Sequence, residues 1–284
     1  MLILNEANYA QNIYLGKDMG VKSLMEKIRY VTRHLIFTEQ QDDDNVYLNT
    51  IRWLKIYQNG FDESCYSNVV SDAIKNAHKY PFYVIDNIEI TQSELATISS
   101  LDNLRAEKIL FVLLCMSKQQ KMTNGFTNGL VKYSVTDVCK LARVSVPAED
   151  REYILHRIFT MGLISSPKKN DTKCLFVNFI DNEGAVVLNL DEVDCQELAY
   201  VYLSWKNDGK GYTRCQKCNK LIKQSKTKPR KYCEECAKYE PVGEKTIVCI
   251  DCGVEFQVEG NNKRTCRCDE CQHQKQLEYQ KKSQ

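Results

Sequence analysis

Apolar residues in the first part of the chain recur at helical spacing. After Gly20 come Val21, Leu24, Met25, Ile28, Val31, Leu35 and Ile36, which line one face of a helix and predict that residues 1–40 are largely helical. The polar run from Gln40 to Asn45 interrupts that pattern. Asp42, Asp43 and Asp44 read there as a solvated turn and helix N-cap, not as a metal cluster. Val46, Leu48, Ile51, Leu54 and Ile56 then resume a helix through Tyr57. A shorter helix is predicted over residues 67–78. It ends before Pro81, because a proline pushes the residue ahead of it out of the α region. Residues 80–90 differ in kind: Phe82, Val84, Ile88 and Ile90 flank the turn pair Asp86-Asn87, which predicts a small hairpin. Thr91 with Glu94 three positions later is a capping box and starts the next helix.

The middle of the chain carries a second ordered pattern. Ile109, Leu110, Val112, Leu113 and Met116 mark an apolar helix, followed by a Gly-containing loop and a short strand near Val131. Ser134 caps a helix that runs to Ala142. Pro147 opens another that Gly162 closes. Residues 163–165 and 174–180 read as two strands around a lysine-bearing tip. Helix, strand, helix, turn, helix, hairpin is the order of a winged helix-turn-helix. In such a unit Arg151 and Arg157 on the third helix, and Lys168, Lys169 and Lys173 on the wing, are the candidates for nucleic-acid contact. The third helix nevertheless opens with Glu149, Asp150 and Glu152, which disfavours close approach to phosphate. The expected fold class is mainly α with small β elements (α+β). The predicted organisation is a helical N-terminal module over 1–100, a winged-helix-like domain over 101–204, and two zinc ribbons over 205–240 and 241–284.

The ribbons rest on cysteine spacing. Cys215 and Cys218 are followed by Cys233 and Cys236, with fourteen residues between the pairs. Cys249 and Cys252 are followed by Cys268 and Cys271, with fifteen between. Two Cys-x-x-Cys pairs joined by a short loop supply the four thiolates of a tetrahedral zinc site, so two zinc ions are expected. Asn219 and Gly253 follow the second cysteine of their pairs, and both residue types tolerate the left-handed backbone of a knuckle. Val254, Phe256 and Val258 alternate with Glu255 and Gln257, as a half-exposed strand would. Residues 230–236 align with 264–271 when one residue is inserted, which selects Cys268 and Cys271 as ligands; Cys266 or His273 remain alternatives.

Two competing uses of these cysteines need other settings. A disulfide framework needs an oxidising compartment, and no N-terminal apolar run preceded by positive charge points to secretion. No apolar stretch approaches membrane-spanning length, so no membrane association is expected. A cytoplasmic chain is expected, in which these pairs hold metal. A thioredoxin-like redox site would show one such pair, not four in two sets.

Charge changes the picture locally. The whole chain is near neutral, at a formal +2, but residues 206–238 hold 11 basic and 3 acidic side chains. Residues 1–204 hold 21 basic and 26 acidic, and residues 239–284 hold 7 and 8. Positive charge is therefore concentrated in the first ribbon. There Lys223, Lys226, Lys228, Arg230 and Lys231 are candidate phosphate contacts, and Tyr232 is a candidate to stack on a base. The chain carries no phosphate-binding glycine loop, no Gly-x-Ser-x-Gly and no His-Glu-x-x-His, and its four histidines are scattered, so no enzymatic activity is expected.

Several segments resemble one group of proteins: residues 79–86 (Lys-Tyr-Pro-Phe-Tyr-Val-Ile-Asp), 142–146 (Ala-Arg-Val-Ser-Val), 162–170 (Gly-Leu-Ile-Ser-Ser-Pro-Lys-Lys-Asn), and the Cys-Ile-Asp-Cys-Gly and Arg-Cys-Asp-Glu-Cys pieces of the second ribbon. The group comprises uncharacterised proteins carried by phages and integrative elements of Firmicutes bacteria. The resemblance implies a bacterial cytoplasm and a mobile-element context, and transfers no activity. The expected role is a non-enzymatic, zinc-dependent nucleic-acid-binding or regulatory protein, with DNA favoured over RNA. The alternative is an adaptor or inhibitor acting on a host polymerase or defence complex. The sequence sets no oligomeric state.

Overall fold

A computed structural model describes residues 2–17, 19–21, 23–124, 129–132, 134–166, 174–225, 227, 229–238, 244–259 and 266–282. The chain is mainly helical with small antiparallel sheets, the expected α+β class. It divides into two compact units. One comprises residues 1–215 with 219–231, and the other 216–218 with 232–284.

The first unit opens with α1 (Glu6–Tyr14), α2 (Leu24–Phe37), α3 (Asp43–Tyr57) and α4 (Glu63–Ala77). Each start is set by a polar side chain that accepts from a free amide: Asn5, Ser23, Asp42 and Asp62. Their apolar faces enclose a buried cluster that includes Ile28, Val31, Leu35, Val46, Leu54 and Val70.

The rest of this unit is built around α6 (Leu104–Asn124), preceded by β1 (Ile88–Thr91) and α5 (Gln92–Ser99). Then come β2 (Leu130–Lys132), α7 (Val135–Leu141), α8 (Ala148–Thr160), β3 (Ile164–Ser165) and β4 (Cys174–Val177), with the strands ordered β2-β4-β3 in one sheet. After β5 (Val186–Leu190) and a short 3-10 turn, α9 (Leu198–Lys206) leads into the hairpin β6 (Tyr212–Arg214) and β7 (Leu221–Lys223). A second buried cluster spans these elements. It takes in Leu2 and Leu4 at one end of the chain and Leu221 of β7 at the other. Within it β1 and α5 pack with α6, and α9 ends at Lys206.

The hairpin predicted over residues 80–90 does not form. β1 pairs instead with β5, Ile88 facing Leu190, while Val84 makes an isolated bridge to Asn5. Asp86 and Asn87 make no turn, because each flank pairs with a segment far away in sequence. The capping box at Thr91 is present, and its carboxylate does more than cap. Glu94 is fully buried, lies 2.8 Å from Lys118 Nζ, and accepts from the Asp181 amide at 2.9 Å.

The second unit holds α10 (Glu234–Ala237), the hairpin β8 (Glu244–Val248) and β9 (Glu255–Glu259), and α11 (Asp269–Lys282). No helix among the described residues is long and apolar enough to cross a membrane.

Candidate metal centres

Both cysteine blocks begin with the same backbone device. The residue before the first cysteine pairs with the residue three places after the second: Arg214 with Leu221, and Val248 with Glu255. The first cysteine's amide donates back across the hairpin, Cys215 to Lys220 O at 2.8 Å and Cys249 to Val254 O at 2.9 Å. The chain can close so tightly because the residue after the second cysteine is left-handed, Asn219 at φ 61° and Gly253 at φ 72°. Its amide reaches back to the first cysteine's carbonyl at 3.0 and 2.9 Å. The same hydrogen bonds recur in two stretches of different sequence, so the knuckle is one structural unit used twice.

The second pair of each block sits at a helix start. Cys233 is the N-cap of α10, with its sulfur accepting from the Cys236 amide at 3.4 Å, and Cys268 precedes α11. Amides at such a terminus favour a thiolate over a thiol.

The result is two groups of four sulfurs: Cys215, Cys218, Cys233 and Cys236, and Cys249, Cys252, Cys268 and Cys271, each with all ligand atoms within 4.8 Å of one another. Four sulfurs bound at about 2.3 Å around one tetrahedral centre stand about 3.8 Å apart. The Cys218–Cys233 and Cys252–Cys268 sulfur pairs are both at 3.6 Å. The donor set and spacing therefore fit a single ion held by four thiolates, and zinc is compatible with both. The crowding also splits the acidities. The Cys268 backbone contact, ahead of those to Cys252 and Asp251, draws Cys249 down to about 6, whereas hydrogen bonds to the Cys252 and Cys268 sulfurs push Cys271 up. A divalent cation would remove that competition by stabilising all four sulfurs as thiolates.

Cys266 and His273 lie outside these groups. The Cys266 carbonyl accepts from Ile250 N at 3.1 Å, which ties residue 266 to the Cys249 knuckle through backbone, and His273 is exposed on α11. Arg267 supports the same corner by an ion pair to Asp251 at 2.5 Å.

The candidate nucleic-acid residues are placed unevenly. Lys223, Arg230 and Lys231 are exposed, and Tyr232 is half-buried beside Cys233. The Gln224 side chain donates to Arg230 O at 2.9 Å and accepts from Arg230 N at 2.7 Å, so it clasps the two ends of the basic loop. Lys226, Lys228, Lys168, Lys169 and Lys173 lie outside the described residues. On α8, Arg151 is half-buried and donates to Val146 O at 3.0 Å, while Arg157 is exposed and donates to Leu101 O at 3.4 Å. Both arginines thus fasten α8 to backbone carbonyls outside the helix, at Val146 and Leu101.

Sequence reasoning missed Arg105, Lys108 and Arg143, cations scattered over a helix and a turn that the fold gathers. Lys108 Nζ donates to Arg143 O at 3.1 Å, and the Arg143 guanidinium lies 4.2 Å from the centre of the Tyr200 ring. The one available signal was Arg143 itself, placed just after a helix where a glycine or asparagine usually sits. Comparison with protein-family models, curated proteins and solved structures finds no match to this chain.

Proposed function

We propose that the protein is a non-enzymatic, zinc-dependent nucleic-acid-binding protein of regulatory type, working in the cytoplasm of a bacterial host in the mobile-element setting its sequence resemblance implies. The observation that carries this reading is the first ribbon. It concentrates 11 basic against 3 acidic residues, and Lys223, Arg230 and Lys231 stand exposed in the block that holds a four-sulfur group. Even after about −2 from four thiolates on a divalent ion, that ribbon keeps a surplus of positive charge for phosphate.

In this reading α6, β2, α7, α8 and the β3–β4 pair act as a winged helix, a reading supported by their chain order and the β2-β4-β3 sheet. Its third helix is a poor sequence reader: it opens with Glu149, Asp150 and Glu152, and its two arginines hold backbone carbonyls. Phosphate contact falls to the ribbon. Zinc-loaded protein should bind mixed-sequence DNA and RNA with an affinity that falls steeply with salt, as fluorescence anisotropy would record. Absence of binding to either at low salt would refute the reading.

One observation favours a second reading, the adaptor. Tyr153 and Phe159 on α8 are 70% and 49% exposed on the helix that carries the same acidic residues, a surface suited to a basic protein segment. Affinity purification with and without nuclease separates the two. A protein partner that survives nuclease and is lost on Tyr153→Ala would favour the adaptor.

A further inference from the structure

We propose that Arg105, Lys108, Arg143 and Lys223 form a single phosphate-contact surface, through which the body of the first unit and the first ribbon hairpin grip one nucleic-acid backbone together. The inference rests on the nucleic-acid reading above and adds to it a site on the body.

The surface is assembled through a series of neighbouring groups. Lys108 stands one turn into α6, where the Asn103 side chain caps the amides of Arg105 and Ala106 at 3.1 Å each. Its Nζ reaches Arg143 O across the turn that ends α7. Arg143 takes a left-handed backbone there, φ 48°, a conformation that side-chain-bearing residues adopt reluctantly. Its guanidinium lies against the Tyr200 ring and pairs with Glu197 at 2.6 Å. Tyr200 in turn packs on Tyr212 of β6, ring centres 5.8 Å apart. Tyr212 faces Lys223 in the hairpin register, and directly opposed residues of an antiparallel pair project from the same face. Lys223 is thereby set on the side of the hairpin that faces Tyr200 and Arg143.

Four cations meet in this arrangement, and among the described residues Glu197 is the carboxylate paired to them. Arg105, Arg143 and Lys223 are exposed and Lys108 half-buried. Partial burial first, and then Arg105, Arg143 and Lys223, draw the Lys108 ammonium below its ordinary value. A folded chain that holds like charges together against repulsion has a surface whose natural counterpart is a polyanion. A repeating phosphodiester suits it better than an isolated carboxylate, because the cations come from α6, the α7–α8 turn and β7 and are spread along a surface. All of them lie in the first compact unit.

The test uses the full zinc-loaded chain, with short mixed-sequence duplex DNA and single-stranded RNA as probes. Arg105→Gln combined with Lys223→Gln should reduce the slope of log affinity against log salt by about 2, close to one for each phosphate-binding cation removed. Arg52→Gln combined with Lys75→Gln, on α3 and α4, removes the same formal charge and should leave the slope unchanged. Lys108→Gln supplies a second readout. It should weaken binding to both probes and lower the slope by about one, because it removes a single cation from the surface. A wild-type slope in the Arg105/Lys223 variant, or an equal reduction in both double variants, overturns this surface while nucleic-acid binding stands. A wild-type protein that binds neither probe overturns the nucleic-acid reading and this surface with it.

Discussion

The two ribbons share a knuckle and differ in what holds it. In the first, Leu221 is 8% exposed and belongs to the main buried cluster, Tyr212 packs on Tyr200, and Arg214 pairs with Asp194 at 2.9 Å. The helix that leads into it is anchored as well, since buried Glu107 accepts from Tyr202 Oη at 2.9 Å and pairs with Lys206. In the second, Val248, Ile250 and Val254 are 54%, 61% and 57% exposed around the corresponding knuckle. The same local sequence device therefore occurs once as an extension of an apolar core and once with little packing of its own. Where packing is scarce, metal binding and folding become one event.

That contrast makes metal removal the largest expected effect. Freshly reduced protein should carry close to two zinc ions by elemental analysis. Structural zinc of this type contributes on the order of 10–16 kcal/mol, so chelation should abolish hydrogen-exchange protection across β8, β9 and α11. The β6–β7 amides should keep part of theirs, because Leu221 and Tyr212 still pack. Equal loss in both hairpins would end the comparison. Within the second site, Cys268→Ser should remove one ion and Cys266→Ser none, as metal content after dialysis would record; the reverse result would move the ligand register.

Side-chain truncation gives the next effect. Leu221→Ala opens a hole in a packed core and should destabilise the first unit by about 2–4 kcal/mol in denaturant unfolding. Ile250→Ala, in the turn of the exposed ribbon, should change stability by less than about 0.5 kcal/mol. If the two substitutions cost the same, the first hairpin is not held by the core as described.

Local chemistry was legible in the sequence, and long-range partnership was not. The knuckles, the Asp42 cap and the Thr91–Glu94 box are each written within a few residues, and each is where the pattern puts it. The fate of residues 80–90 depends on Leu190 and Asn5, and no local pattern encodes a strand partner a hundred positions away. The same limit hid the cluster of Arg105, Lys108 and Arg143. Spread along the sequence they read as ordinary solvated charges, and only α9, carrying Tyr200, brings them to Lys223. Glu94 shows both sides at once: its capping role is local, but its ion pair with Lys118 and its bond to Asp181 are tertiary.

The smallest expected effect is a pH dependence that belongs to the body and not to the ribbons. The His34 side chain on α2 is 1% exposed and stacks near Tyr14 with ring centres 4.9 Å apart. Its Nδ1 finds no hydrogen-bond partner among the described residues, and its Nε2 lies 3.5 Å from Glu39. Burial lowers the imidazole pKa, and the Glu39 carboxylate only partly opposes this. In the unfolded chain the same group titrates near its ordinary value of about 6.5. Between the two values the unfolded state binds more protons than the folded one, so stability rises with pH across that window. The contribution is complete above about pH 6.5 and is lost progressively as the pH falls below it. Hydrogen exchange at α2 and α3, corrected for intrinsic rates, should show this loss in the zinc-loaded chain. His34→Phe keeps a ring beside Tyr14 and removes the titration, so it should flatten the dependence. The same acid sensitivity in that variant would mean that protonation acts elsewhere, and would remove the means of telling acid damage to the body from acid loss of metal by the ribbons.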